Sequence, residues 1–225
     1  IGPAGCGKTT LSSQYMIAAL NRGEHVVCYQ FEESQETFLH RSRGFGMNFE
    51  PYLASGQFEL VQVNIADLSP GEFSSQVRDA VEQRNASFIV IDSLNGYLNG
   101  MPSERFLLIH IRELLAYLGR SGVLTVMTMA QHGMLGSGMQ TPIDVSFLAD
   151  AVILLRFFEA AGTVRQTISV VKKRRSKHER TLRELTMGTA GVSVGEVLRD
   201  FEGVLTGVPR YLGEHAKLLG EQKTS

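Results

Sequence analysis

Apolar residues in this chain gather in short, nearly continuous runs, and polar or charged residues follow most of them directly. Such runs lie at residues 24–31, 58–63, 87–91 and 123–129. Runs of this length, rich in β-branched and aromatic residues, are typical of strands that are buried on both faces of a parallel sheet. The pattern therefore predicts four strands, of which those at 24–31, 87–91 and 123–129 are expected to be buried.

The segments between these runs carry apolar residues at helical spacing. They predict helices from Lys8 to about Asn21, over 34–43, from Ser69 to about Arg84 and over 103–118, with a short helix ending at Ala54. Strands that alternate with helices indicate an α/β fold with a mostly parallel sheet between two helical layers. At 225 residues, we expect a single domain over 1–225.

The last third of the chain has a different pattern. Strands are predicted over 150–157 and 163–171, with a turn at Ala161-Gly162, and a further strand over 181–186. We expect an antiparallel extension from about 150 to 195. Before it, the glycine-rich loop over 132–145 is expected to be mobile.

Composition limits the class of protein and the cellular location that we expect. The chain is 43% hydrophobic and 20% charged, with a formal charge of −1 and two cysteines. No apolar run approaches the ~18 residues that a membrane span needs, and no signal peptide is present, so we expect a cytoplasmic protein without a membrane. The charge gives no overall attraction to nucleic acid. Two cysteines form no disulfide framework or zinc site, and Cys28 is expected to be a small buried side chain.

The first residues carry the strongest chemical signal. Gly2 to Thr9 match the phosphate-loop pattern G-x-x-x-x-G-K-[ST]. Its glycines allow backbone amides to surround a phosphate, Lys8 is placed for the β- and γ-phosphates, and Thr9 for Mg²⁺. Such loops follow a buried strand, of which only Ile1 is present, so we expect the natural polypeptide to continue upstream.

Carboxylates follow two of the predicted strands. One of Glu32 and Glu33 could activate water or a hydroxyl while the other lies near Mg²⁺. Alternatively, they are solvated acidic residues that interact with the positive end of the next helix. Asp92 ends the run at 87–91 in the Walker B pattern, which places it in the second shell of Mg²⁺. Gln131 could contact a γ-phosphate or cap a strand.

Two further features leave alternatives open. Phe45 is either a core side chain or an aromatic that stacks on a nucleobase. The run 172–180, the predicted connection of a strand pair, holds six Lys or Arg in nine residues. It is a solvated turn, a surface for a nucleic-acid backbone, or a source of cations for a neighbouring subunit's ATP.

With these parts in place, the sequence resembles the KaiC family within the RecA-like ATPases, over essentially the whole chain. The adjacent glutamates and the Lys172-x-Arg174-x-x-x-His178 stretch are the most specific features. The other matching segments are the phosphate loop, 31–34, 44–50, 91–94, 145–150, 201–202 and 205–209.

The resemblance implies a three-layer RecA-like P-loop ATPase domain that assembles into a hexameric ring, with ATP at each subunit interface. It implies Mg²⁺ at Thr9 and Glu32, catalysis by Lys8, Glu32 and Glu33, and Phe45 in the nucleobase pocket. Lys172, Arg174 and His178 would face the neighbour's nucleotide. The full expected nucleotide-binding set is Ala4, Gly5, Cys6, Gly7, Lys8, Thr9, Thr10, Phe45, Asp92, Lys172, Arg174, Ser176 and His178.

One departure affects the expected activity. Clock proteins of this family phosphorylate an adjacent Ser-Thr pair, and the corresponding residues here are Ser146 and Phe147. Phe147 cannot accept phosphate, so only Ser146 is a candidate for autokinase activity. A RecA-like or DnaB-like nucleic-acid-dependent ATPase and an ATP-assembled regulatory scaffold with negligible turnover are the alternative functions. Regulatory protein partners are compatible with each.

Overall fold

The computed structural model describes residues 1–64, 68–99, 104–131, 147–205 and 209–213. The helices in these ranges are α1 (Lys8–Asn21), α2 (Gln35–Gly44), α3 (Glu50–Ala54), α4 (Pro70–Glu82), α5 (Leu94–Asn99) and α6 (Glu104–Arg120). The strands are β1 (Val26–Gln30), β2 (Phe58–Gln62), β3 (Phe88–Asp92), β4 (Leu124–Met127), β5 (Ala151–Ala160), β6 (Thr163–Lys173), β7 (Arg183–Gly188), β8 (Gly191–Val197), β9 (Phe201–Glu202) and β10 (Arg210–Tyr211).

The chain divides into two compact units. The parallel-sheet unit comprises Lys8–Ala130 with Gly188–Val192, and the antiparallel-sheet unit comprises Ile1–Gly7, Gln131–Met187 and Ser193–Ser225. Each is described by itself. The single domain over 1–225 stays a prediction.

The parallel-sheet unit contains four strands in the order β2-β1-β3-β4, and every pair is parallel. Gln30 lies opposite Gln62 on one side and Asp92 on the other, so the carboxyl ends of these strands share one edge. This is the edge at which α/β sheets bind their ligands. The predicted parallel sheet is confirmed, and it places the ends of β1 and β3 side by side.

Helices cover both faces of this sheet. Alternate β1 residues point to opposite faces, and Val26 and Cys28 pack in a core cluster with side chains of α1 and α2. Tyr29 points the other way and contacts Phe73 of α4, with 5.2 Å between ring centroids. The three-layer arrangement is therefore confirmed. Burial raises the pKa of the Cys28 thiol well above its ordinary value, as expected for a cysteine that serves as a small core side chain.

The predicted helix start at Ser69 is a complete capping box. The Ser69 hydroxyl accepts the Glu72 amide at 3.3 Å, and the Glu72 carboxylate accepts the Ser69 amide at 2.8 Å. The bonds from Ser69 lower the pKa of Glu72. Ser34 caps α2 in the same manner by accepting the Thr37 amide at 3.2 Å.

The antiparallel-sheet unit contains strands in the order β5-β6-β7-β8 and a separate pair, β9 and β10. Ala161 and Gly162 both have positive φ, 52° and 72°, as a tight two-residue hairpin turn requires. The antiparallel extension is thus confirmed. Several predicted strand boundaries were wrong by a few residues. Lys172 and Lys173 continue β6 instead of starting the turn, β5 extends to Ala160, and β7 covers Arg183–Gly188.

Some elements were not predicted. α5 has only six residues with a glycine inside, too few for a helical period, and β9 and β10 have two residues each. The predicted mobile loop at 132–145 lies outside the described residues. Within the described ranges, no helix is long and apolar enough to cross a bilayer.

Candidate functional site

The phosphate loop has the backbone that its glycines predict. Gly5 and Gly7 have φ of 77° and 95°, a conformation that other residues adopt only at a cost. A Cβ at Gly2 would overlap the Leu155 carbonyl oxygen, so glycine is required there as well. The Gly2 carbonyl accepts the Gln131 amide at 3.0 Å. Ala4 and Gly5 are exposed, whereas Cys6 is buried.

The chain passes directly from this loop into α1, which begins at Lys8 as predicted. Lys8 and Thr9 are half-buried in the first turn and Thr10 is buried. The first turn contains no acidic residue. The amide groups and the partial positive charge of a helix N-terminus favour a bound anion, so this turn has the chemistry that a phosphate needs.

Asp92 lies at the carboxyl end of β3 and is 6% exposed. Its carboxylate accepts hydrogen bonds from the Thr128 hydroxyl and from the Gln30 amide, the latter at 3.4 Å. Both oxygens are therefore engaged by protein groups. The arrangement suits an acid that orients a water molecule or hydroxyl near a metal and is less suited to direct coordination.

Glu32 follows β1 and reaches the next strand end. Its Oε1 accepts the Ser93 hydroxyl at 2.9 Å, and Ser93 also accepts the Gly96 amide at 3.3 Å. The peptide bond between Asp92 and Ser93 is cis. Glu32 is exposed, so its carboxylate is held on one side and open on the other.

Glu33 has different surroundings. Arg41 of α2 donates two hydrogen bonds to its carboxylate, at 3.0 Å and 2.8 Å. The structure thus places the adjacent glutamates in separate environments, one bonded to a hydroxyl and the other in an ion pair.

Further hydrogen bonds connect the ends of β3 and β4. The Asn95 side chain donates to the Ala130 carbonyl at 3.1 Å and accepts the Ala130 amide at 2.7 Å. Sequence reasoning missed Ser93, Thr128, Asn95 and Arg41 as partners of this edge. Two of them could have been found from the sequence: Ser93 directly follows Asp92, and Thr128 lies near the end of the strand predicted over 123–129.

Phe45 is half-buried and packs against the core cluster under α1 and α2. This contact favours the core interpretation, and the nucleobase role stays a prediction. Gly46 beside it has φ of 73°, and a Cβ there would overlap the Thr189 carbonyl oxygen.

A pocket of about 420 Å³ lies where β6 ends, and it is lined by Lys173, Arg174, Ser176, Lys177, His178 and Arg180. Arg174 donates its amide to the Asp150 carbonyl at 2.8 Å and a guanidinium N–H to the Phe147 carbonyl. The lining contains no carboxylate, so the pocket suits an anion. Lys172, half-buried at the end of β6, does not line it.

Ser146, the predicted phosphorylation site, lies outside the described residues, and Phe147 next to it is exposed. Among the residues that the structure describes, no three His, Cys, Asp or Glu side chains gather as a metal site would require. A magnesium ion here would have to depend on Thr9, on Glu32 and largely on nucleotide oxygens and water.

A helix-flanked parallel sheet with carboxylates at its carboxyl edge, in a chain whose first helix directly follows a phosphate-loop sequence, is the arrangement of the RecA-like P-loop ATPase fold. The family model described as "ATPase: KaiC" matches residues 1–199. The chain belongs to this KaiC ATPase family.

Curated relatives agree with this assignment. The chain is 26% identical over 215 residues to circadian clock protein KaiC3 of Synechocystis sp., covering 95% of this chain and 42% of that protein. It is 24% identical over 208 residues to the circadian clock oscillator protein KaiC of Picosynechococcus sp. and of Synechococcus elongatus, covering 92% of this chain and 40% of each relative. The chain thus spans less than half the length of these relatives.

Proposed function

We propose that this domain binds ATP with Mg²⁺ and hydrolyses it. The observation that carries the proposal is a pair of glycines with positive φ directly before a helix that begins at Lys8. The same chain brings Glu32, Ser93 and Asp92 to one edge of the parallel sheet. The loop provides amides for phosphate, and the sheet edge provides acid groups for the chemistry.

Lys8 neutralises the β- and γ-phosphates, and residues 4–10 surround the triphosphate. Thr9 and Glu32 offer oxygen atoms of the kind that Mg²⁺ prefers, and Asp92 orients the water around it. When bound, the ion supplies positive charge that offsets the charge on the phosphates.

The glutamate pair supplies the base that takes a proton from the attacking water. A carboxylate contributes to this step only when it is held within hydrogen-bonding reach of that water. Ser93 fixes one Glu32 oxygen, which leaves the other directed away from that bond for a water molecule.

We further propose that the protein acts as a hexameric ring. Lys172, Arg174, Ser176 and His178 would then contribute cations and donors to the ATP of the neighbouring subunit. The anion-suited pocket at the end of β6 supports this role. Because relatives are named circadian clock oscillator proteins, the proposal includes regulatory protein partners for the whole protein.

Autokinase activity at Ser146 belongs to the same proposal as an additional step. The serine hydroxyl would attack the γ-phosphorus, ADP would leave, and a base would take the hydroxyl proton. Incubation with labelled ATP followed by peptide mapping tests it, and label absent from the Ser146 peptide would leave hydrolysis as the activity.

The central experiment measures ATP turnover and ATP affinity of the full-length protein and of the Glu32→Gln/Glu33→Gln double variant. Removing the base while keeping the side-chain shape should lower turnover by ~10²–10⁴-fold and leave affinity within a few fold. An unchanged turnover rate would contradict the assignment of the base.

Two added measurements separate the alternatives. Turnover that rises on addition of DNA would indicate a nucleic-acid-dependent ATPase. Tight ATP binding with ring assembly and negligible turnover would indicate a scaffold.

A further inference from the structure

The ion pair between Glu33 and Arg41 has two-point geometry. Arg41 Nε lies 3.0 Å from Glu33 Oε1, and Arg41 Nη2 lies 2.8 Å from Glu33 Oε2. The side chains are only 21% and 25% exposed, so solvent screens them less than it screens a surface pair. Bidentate charge-assisted bonds of this kind fix the direction of both groups.

A second contact, within α2, also restrains the Arg41 side chain. Its guanidinium carbon lies 5.4 Å from the ring centroid of Phe38, which is fully buried in the core of the parallel-sheet unit. Arg41 and Phe38 belong to α2, whereas Glu33 lies in the connection between β1 and that helix. The pair therefore fastens the connection to the helix that follows it.

Glu32 stands in this same connection and differs in its bonding. Its Oε1 accepts the Ser93 hydroxyl, while no described residue donates to Oε2. Glu32 thus has an oxygen available to a water molecule, and both Glu33 oxygens already accept bonds from a cation.

We infer that the two glutamates divide the work of hydrolysis, an inference that rests on the proposed ATPase function. Glu32 is the general base, and Glu33 with Arg41 is a positioning pair that holds the connection carrying Glu32. Both Glu33 oxygens accept hydrogen bonds from Arg41, whereas only one Glu32 oxygen accepts a hydrogen bond from a described residue.

The first test compares single substitutions in the full-length protein. Glu32→Gln should lower kcat by ~10²–10⁴-fold with ATP affinity preserved. Glu33→Gln keeps the side-chain shape and weakens the pair, so kcat should fall less than ~10-fold. Arg41→Gln should match it, and the Glu33→Gln/Arg41→Gln double variant should be no worse than either, because both substitutions remove the same interaction.

A charge exchange provides the sharper test. Glu33→Arg alone places two cations together, and turnover should fall strongly. The Glu33→Arg/Arg41→Glu variant restores an ion pair with no carboxylate at position 33, and it should recover much of the lost turnover. A general base at position 33 would not be rescued. Circular dichroism establishes whether the exchanged variant folds, and if it does not, the Gln series decides.

The outcomes separate this inference from the function on which it rests. A parent protein that binds ATP without hydrolysing it overturns both. A parent that hydrolyses ATP while Glu33→Gln falls as far as Glu32→Gln overturns only the division of labour. Equal activity of Glu32→Gln and the parent would remove Glu32 as the base.

Discussion

Gly96 of α5 lies against Phe31, the residue immediately before Glu32, and an alanine there should destabilise the protein. A Cβ at position 96 would lie 3.1 Å from Phe31 Cγ and closer still to Phe31 Cβ. Phe31 cannot move aside easily, because its ring packs edge-on against Phe73 and Tyr97 at 5.6 Å and 6.0 Å between centroids.

Two opposing effects decide whether Gly96→Ala raises or lowers the free energy of unfolding. Replacing a helical glycine by alanine stabilises by up to about 1 kcal/mol because the unfolded chain loses freedom. Forcing an added carbon into a packed site costs about 1–3 kcal/mol. We therefore expect Gly96→Ala to lower the free energy of unfolding by about 1–2 kcal/mol. Because Phe31 adjoins Glu32, turnover should fall as well.

Gly119 of α6 provides a matched control, since a Cβ there would meet no atom within 4 Å. Gly119→Ala should therefore stabilise the protein by about 0.5–1 kcal/mol without changing turnover. Urea unfolding of the parent and both variants gives the two differences. If Gly96→Ala stabilises the protein as much as Gly119→Ala does, the argument from the Phe31 contact is wrong.

Three further predictions concern binding, assembly and pH. Lys8→Ala should abolish nucleotide binding, measured with a fluorescent ATP analogue; unchanged affinity would remove the phosphate-loop assignment. The Arg174→Ala variant should bind ATP yet fail to support hydrolysis in the neighbouring subunit's site. Mixing it with Glu32→Gln/Glu33→Gln subunits should therefore partly restore turnover, and mixed rings without restored turnover would contradict a shared site. Burial raises the pKa of Tyr97 to about 12, so stability should fall from pH ~10, where unfolded tyrosine ionises, up to about 12. Tyr97→Phe should make this loss smaller than in the parent and should not abolish it, because the pKa values of Tyr29 and Tyr117 are also raised. Urea unfolding of both proteins from pH 8 upward tests it.

Local patterns in the sequence determined most of the elements of the parallel-sheet unit. Each buried strand is a short apolar run, and each long helix repeats apolar residues at a fixed spacing, so neighbouring residues alone carry the information. The capping box at Ser69 and the positive φ values of Gly5 and Gly7 are equally local, since backbone sterics and bonds within a few residues produce them. The phosphate loop and the acid groups after the strands could be identified for the same reason.

Only the tertiary structure decided how those acid groups are bonded. Ser93 reaches Glu32 and Thr128 reaches Asp92 across 61 and 36 residues, because parallel pairing brings the ends of separate strands to one edge. Glu32 and Glu33 are the same residue type side by side in the sequence. Their different environments arise because one faces the end of β3 and the other faces a helix turn that presents Arg41. Those contacts depend on where the chain returns in space, and no local pattern of residues encodes that.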